Sequence, residues 1–184
     1  MRRSALTLVL LTLAACSHAQ APADTPTPEA SLHPALAPLA GLIGDWEGQA
    51  RAMTPTGPKE MIQTERVRPE LGGAILIVEG TGREIGEDGE PGAVVFNAFG
   101  IFSVDTATGT VYLDAFTQEG RHVRVAPTLL DDGFDWGLQP DLGPTIEYQM
   151  RFDEDGRWVE TGRASMDGGA TWFDSFSMTL TRME

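Results

Sequence analysis

The sequence predicts an all-β protein, an antiparallel up-and-down barrel of ten strands preceded by a short helix. From Leu42 onward, apolar residues recur at every second position, which is the period of a β-strand. Short turns rich in Gly, Pro and Asp separate these runs, so that successive strands are expected to pair as hairpins. A meander of many strands is expected to close, because closure removes the exposed edges of the sheet.

The N-terminus predicts an exported protein. Arg2 and Arg3 are followed by an apolar run that is too short to cross a bilayer as a helix, so residues 1–15 are predicted to be a signal peptide. The only cysteine of the chain, Cys16, follows Leu-Ala-Ala. This arrangement resembles the bacterial lipobox, in which the cysteine is lipidated after cleavage. The resemblance implies a lipoprotein, and acyl chains on Cys16 would anchor it to the membrane.

The segment after the cysteine predicts where the protein resides. Residues 16–30 are rich in Ala, Pro and Thr and are expected to form a disordered tether between the lipid and a barrel domain at 31–184. Ser17 stands where an Asp would retain a lipoprotein in the inner membrane. By resemblance to such sorting signals, we expect an outer-membrane lipoprotein that faces the periplasm. The net charge of −14 argues against nucleic acid as a partner.

The predicted domain begins with a helix from Ser31 to Ala40. Its leucines, at spacings of four and three, are expected to cover one end of the barrel near Trp46. The predicted strands follow at Leu42–Met53, Lys59–Arg68, Ala74–Arg83, Ala93–Val104, Thr110–Thr117, Arg121–Ala126, Phe134–Leu138, Thr145–Phe152, Arg157–Met166 and Thr171–Arg182.

The alternation within the strands suggests which side chains face the interior. It predicts inward aromatic residues that could line a ligand site, at Trp136, Tyr148, Trp158 and Phe176. It also suggests polar groups that could orient a ligand, at Asn97, Arg163 and Asp174. The small residues Gly48, Ala50 and Ala52 leave inner volume that is either a lumen or space filled by bulky residues opposite.

The strand Ala93–Val104 is apolar on both faces, with Asn97 as its polar exception. Both faces are therefore expected to be covered. The candidates for the outer cover are the N-terminal helix, a partner protein or a peptide.

Two groups of residues carry resemblances to known families. Gly44-Asp45-Trp46, with Arg182 on the last strand, resembles the calycin signature of lipocalins and fatty-acid-binding proteins. Together with Leu71-Gly72-Gly73, these residues look like lipocalin-like domains of unknown function in bacterial exported proteins. The resemblance covers about residues 32–182 and implies that the Arg182 guanidinium stacks on Trp46 to close one end of the barrel. Separately, Ser165–Trp172 resembles the Asp-box hairpin, a folding element rather than a catalytic one.

The residues that could carry chemistry are few. His122 is the only histidine predicted in the barrel wall, and no pattern typical of a catalytic triad, metal site or phosphate loop accompanies it. Acids such as Asp114, Glu160 and Asp174 cannot be paired from sequence, although buried ones would indicate function.

These observations lead to one principal expectation and two alternatives. We expect a non-enzymatic binder of a small apolar or lipid-like ligand, without a cofactor or metal. The first alternative is an interaction or structural protein of the cell envelope that docks a partner at residues 93–104. The second is a hydrolase, or a haem-binding barrel similar to the nitrobindins, that uses His122.

Overall fold

A computed structural model of the protein describes residues 31–139 and 143–184. The predicted signal peptide, Cys16 and the tether lie outside the described residues. The described part is all-β, apart from a 3₁₀ helix at Pro34–Leu42 and a short 3₁₀ turn at Leu71–Gly73. Within it, no helix is both long and apolar enough to cross a bilayer.

Eleven strands form one antiparallel sheet. They are β1 (Gly44–Thr54), β2 (Gly57–Glu70), β3 (Ile75–Ile85), β4 (Pro91–Val104), β5 (Val111–Thr117), β6 (His122–Val125), β7 (Thr128–Leu130), β8 (Gly133–Leu138), β9 (Thr145–Phe152), β10 (Trp158–Ser165) and β11 (Phe173–Arg182). Their spatial order is β6-β5-β4-β3-β2-β1-β11-β10-β9-β8-β7. The first and last strands, β1 and β11, therefore pair at the middle of the sheet.

The connection between β6 and β7 explains why the sheet curls. These strands are the two edges of the sheet, yet only Ala126 and Pro127 separate them in sequence. Three residue steps from Val125 to Thr128 span at most about 11 Å. The sheet must therefore bend round until its edges approach each other, which gives a barrel-like shape with one inner and one outer face.

The structure differs from the sequence expectation in two elements. The predicted ten strands are eleven, because Thr128–Leu130 forms a three-residue edge strand on β8. The helix begins at Pro34 rather than Ser31, and the Nδ1 atom of His33 accepts a hydrogen bond from the Ala35 amide. It is a 3₁₀ helix, and its internal Pro38 has no backbone N–H and disfavours a regular α-helix.

One end of the curled sheet is closed around Trp46. The buried residues Leu36, Leu39 and Leu42 of the helix belong to the same core cluster, and the Trp46 indole donates a 2.7 Å hydrogen bond to the Leu42 carbonyl. The Arg182 guanidinium lies 4.1 Å from the centre of the indole ring, within cation–π range.

Backbone hydrogen bonds and the space left by a glycine allow Arg182 to take this position. Its guanidinium donates to the carbonyl oxygens of Gly41 and Ile43 at the end of the helix. Gly44 has a φ of +139°, and a Cβ atom there would collide with the guanidinium. Gly44 is therefore needed both for its backbone conformation and for the space that Arg182 occupies.

The hairpin between β10 and β11 is held by the carboxylate of Asp167. This carboxylate accepts hydrogen bonds from the Ser165 hydroxyl and from the hydroxyl and amide of Thr171. The Trp172 indole donates to the Gly169 carbonyl below the turn. These bonds hold the pKa of Asp167 well below its usual range, at about 2.

Candidate functional site

The inner face of the sheet carries a small polar cluster among apolar side chains. Trp46 faces inward and pairs with Glu65 across the β1–β2 ladder, and Gly48 pairs with Gln63 in the same way. On the other side of β1, the ladders through β11 place Glu160 of β10 on the same inner face. We call Gln63, Glu65 and Glu160 the interior polar cluster.

Gln63 is the most deeply buried member, with 2 % of its surface exposed. Its Nε2 atom donates a 2.7 Å hydrogen bond to Oε1 of Glu65. Its amide oxygen is buried and has no hydrogen-bond partner within the described residues. If the amide group of Gln63 is rotated by 180°, its oxygen and nitrogen exchange places. The nitrogen then no longer reaches Oε1 of Glu65, so one polar atom of Gln63 stays unsatisfied in either orientation.

Two glycines of β3 make room for this cluster. A Cβ atom at Gly80 would lie 2.6 Å from Oε1 of Glu65, and one at Gly82 would lie 2.9 Å from Oε1 of Gln63. The polar ends of both side chains therefore lie against the backbone of β3, and any residue larger than glycine at position 80 or 82 would displace them. The two glycines thus leave a recess on the inner face of β3 that these polar groups occupy.

Burial raises the pKa of both acids of the cluster. Glu160 is 9 % exposed and accepts hydrogen bonds from the indole nitrogens of Trp136 at 3.4 Å and Trp158 at 3.3 Å. Burial nevertheless raises the pKa of Glu160. Glu65 keeps a little accessible surface but is enclosed on most sides. Burial, opposed by the Gln63 hydrogen bond and reinforced by the charge of Glu160, raises the pKa of Glu65 to about 8.

Aromatic rings continue the inner wall next to Glu160. Trp136 and Tyr148 stack with their ring centres 4.3 Å apart, and Phe176 meets Tyr148 edge to face at 5.9 Å. Gly162, which lies beneath them, leaves the space that the Tyr148 ring occupies. Trp136, Tyr148 and Phe176 are all only partly buried although they face inward. Each of these rings therefore keeps some accessible surface on the inner side of the sheet.

The structure brings together some of the residues predicted to bind a ligand and separates others. The four predicted aromatic residues, Trp136, Tyr148, Trp158 and Phe176, lie on one inner surface with Glu160. Asn97 is exposed and pairs with Thr81, facing outward.

The other two predicted polar residues also lie away from the interior. Arg163 is on the outer face, where it bonds Glu147 at 2.6 Å and covers the Trp172 ring. Asp174 pairs with Arg163 rather than sharing the face of Phe176, because a bulge after Gly162 reverses the alternation. The prediction that Asp174 faces the interior with the aromatic residues is therefore wrong.

The bulge creates a separate groove. A cavity of about 300 Å³ lies beside it, bordered by Asp174, Ser175 and Phe176 and by Arg51 of β1. The Ser175 hydroxyl is buried there without a partner within the described residues. Arg51 faces outward on its strand, so this groove lies on the opposite side of the sheet from the interior polar cluster.

His122 is also on the outer face. Its Nε2 atom lies 3.0 Å from a carboxylate oxygen of Asp114, and its ring stacks on Phe116 with centres 4.5 Å apart. The other oxygen of Asp114 accepts from Arg124 at 2.9 Å. This placement does not support ligation of a haem inside the barrel by His122. Within residues 31–139 and 143–184, no three His, Cys, Asp or Glu side chains are grouped as a metal site.

Sequence reasoning missed Gln63 and Glu65, although a signal was present. Met61, Gln63, Glu65 and Val67 alternate, and the hairpin after Thr54 sets them in register with the inward residues of β1. Extending the inward face of Trp46 across that hairpin would have placed both polar residues inside.

The fold and this cluster define an all-β protein with a curled antiparallel sheet and a polar recess in its interior. The fold is similar to that of Rv2717c from M. tuberculosis, known from a crystal structure, with a TM-score of 0.61. The two sequences are 18 % identical over 84 % of this chain and 100 % of that chain. At this identity the similarity shows a shared fold alone. No family model and no curated protein matches the chain.

Proposed function

We propose that this protein is an exported, membrane-anchored lipoprotein whose curled sheet binds a small, mainly apolar ligand on its inner face without catalysing a reaction. The observation that carries the proposal is the buried amide oxygen of Gln63, which has no hydrogen-bond partner among residues 31–139 and 143–184. Leaving such a group unsatisfied costs about 1–3 kcal/mol, which a ligand donor would recover. The partly exposed rings of Trp136, Tyr148 and Phe176 supply an accessible apolar wall for the rest of the ligand.

The proposal includes a lipocalin-like, calycin-type architecture. The contact of Arg182 with Trp46, the requirement for Gly44 and the antiparallel curled sheet support it. It also includes lipidation at Cys16 and residence in the outer membrane facing the periplasm, which the lipobox and Ser17 support. No cofactor is part of the proposal.

Native mass spectrometry of the full-length protein, purified from its own membrane in mild detergent, tests the binding function. We expect a retained adduct of small mass, lost on denaturation. Phe176→Ala should weaken its retention by removing part of the aromatic wall, whereas the matched change Phe99→Ala on the outer face should not. An adduct-free protein that also fails to bind an apolar fluorescent dye would contradict the proposal.

A second candidate function is partner docking at residues 93–104. Val94 of β4 and Phe116, which pairs with Phe99 of β4, are 43 % and 39 % exposed, so apolar side chains remain accessible on both strands. Site-specific crosslinking from position 94 in intact cells tests it. A crosslinked product that disappears with Phe116→Glu would support docking, and the absence of any product would refute it.

A further inference from the structure

In the described part of the chain, no cation pairs with the interior polar cluster. None of the ion pairs formed within the described residues involves Glu65 or Glu160. The nearest inward cation on the ladders, Arg182, is held against Trp46 by the carbonyl oxygens of the helix end. Lys59, toward the other end of β2, is paired with Glu84 at 3.1 Å.

Among the residues that the structure describes, the remaining strands contribute no cation that pairs with the two acids. On β9, Tyr148 is a neutral phenol, since burial raises its pKa to about 12, and Arg121 acts on it only weakly from the β5–β6 turn. The inward positions of β1, β3 and β11 beside the cluster are glycine, alanine or apolar residues. The recess thus contains two carboxyl groups and one buried amide oxygen that has no hydrogen-bond partner in the described part of the chain, with aromatic rings around them.

We propose that the ligand carries a protonated amine on an apolar body, with its ammonium group bonded to Glu65 and to the free amide oxygen of Gln63. This inference rests on the proposed function and names the chemical class of its ligand. An ammonium group has three N–H donors, so it can satisfy both oxygens and still face an aromatic ring. A carboxylate ligand would bring its own negative charge into a buried recess where no cation of the described residues could pair with it.

Binding of an amine then requires one proton to leave. At neutral pH Glu65 is largely protonated, and its carboxylate forms when the ammonium group arrives. The amine keeps its three protons, the Glu65 proton passes to solvent, and the total charge is conserved. A neutral ligand of the same shape would bind without releasing this proton. Proton release therefore distinguishes the proposed ligand class from apolar binding alone.

Isothermal titration calorimetry of the purified protein tests the inference with three probes of equal chain length: octylamine hydrochloride, octan-1-ol and sodium octanoate. We expect octylamine to bind most tightly. Titrations at pH 7 in phosphate and in MOPS, whose ionisation enthalpies differ, should show release of close to one proton per octylamine bound. The octylamine affinity should rise about tenfold per pH unit between pH 6 and pH 7. It should level off above pH 8, where Glu65 is already ionised.

Two variants separate the site from the acidic surface. Glu65→Gln should abolish the proton release and the pH dependence, whereas Glu60→Gln, an exposed acid on the same strand, should leave both unchanged. Far-UV circular dichroism checks that each variant folds. The wild-type proton count needs no variant, so it tests the inference even if Glu65→Gln does not fold.

The outcomes separate the inference from the proposed function. If octan-1-ol or octanoate binds as tightly as octylamine, or if octylamine binds without proton release, the amine inference is wrong and apolar binding stands. Equal losses in Glu65→Gln and Glu60→Gln would also overturn it, because they would indicate attraction to surface charge. If no probe binds and the membrane-purified protein carries no adduct, the proposed function itself fails.

Discussion

The buried carboxyl group of Glu65 should make the protein less stable as the pH rises. In the unfolded chain this group ionises near pH 4.5, whereas in the folded protein its pKa is about 8. Between these values the folded protein holds one proton that the unfolded chain has released. Stability therefore falls with increasing pH by about 1.4 kcal/mol per pH unit from this group. The penalty is absent below pH 4.5 and complete above pH 8.

The size of this effect follows from the pKa values of Glu65 in the unfolded and folded states. Their difference corresponds to about 5 kcal/mol of unfolding free energy, a large part of the stability of a domain of this size. Glu65→Gln keeps the shape of the side chain and cannot ionise. It should therefore be about as stable as the wild type near pH 4.5 and progressively more stable toward pH 8. Glu160, whose pKa is also raised, keeps its own pH dependence in both proteins.

Urea denaturation at pH 5, 6, 7 and 8, followed by tryptophan fluorescence, measures the difference. The slope of the unfolding free energy against pH should differ between wild type and Glu65→Gln by about 1.4 kcal/mol per unit. Glu60→Gln, with an exposed side chain on the same strand, should keep the wild-type slope. Parallel curves for wild type and Glu65→Gln would show that Glu65 is ionised in the folded protein and would refute the reasoning.

Three further substitutions test the closed end and the β10–β11 hairpin. Leu36→Ala should lower the unfolding free energy by about 2–5 kcal/mol in urea denaturation, because Leu36 is fully buried against the core; a loss below 1 kcal/mol would contradict this packing. Gly44→Ala should cost about 1–3 kcal/mol more than Gly57→Ala, since both have positive φ but only position 44 meets the Arg182 guanidinium; equal costs would refute that collision. Asp167→Ala should lower the melting temperature at pH 6, and the difference from wild type should shrink as the pH falls toward 2, where the wild-type carboxylate protonates; a difference that persists at pH 2 would contradict the role of its charge.

Much of the fold was predictable because apolar residues recur at every second position in the strands and because Gly, Pro and Asp mark the turns. The hairpin at Thr54–Gly57 fixes the register of β1 and β2 over eleven residue pairs, and turn chemistry alone indicated its position. The strand Thr128–Leu130 was not predictable, because three residues are too few to show a period. It is a strand only because β8 lies next to it.

The candidate site was less predictable than the fold, for a physical reason. Alternation assigns faces only while the ladder is regular, and the bulge after Gly162 moves Asp174 to the outer face without any mark in the sequence. Gln63 and Glu65 carry side chains that are ordinarily exposed, so composition argues against placing them inside. Their burial depends on Gly80 and Gly82 in the next strand, a relation visible only when the strands are paired.

Trp46 connects the closed end to the candidate site. It pairs with Glu65 on one side and with Arg182 on the other, so an acid and a base flank the same indole. They form no ion pair, because the guanidinium stacks on the indole and bonds the carbonyl oxygens of Gly41 and Ile43. Closing the end with Arg182 thus leaves Glu65 uncompensated in the interior. The contact that stabilises one end of the sheet therefore also leaves Glu65 without a cationic partner, which a ligand could supply.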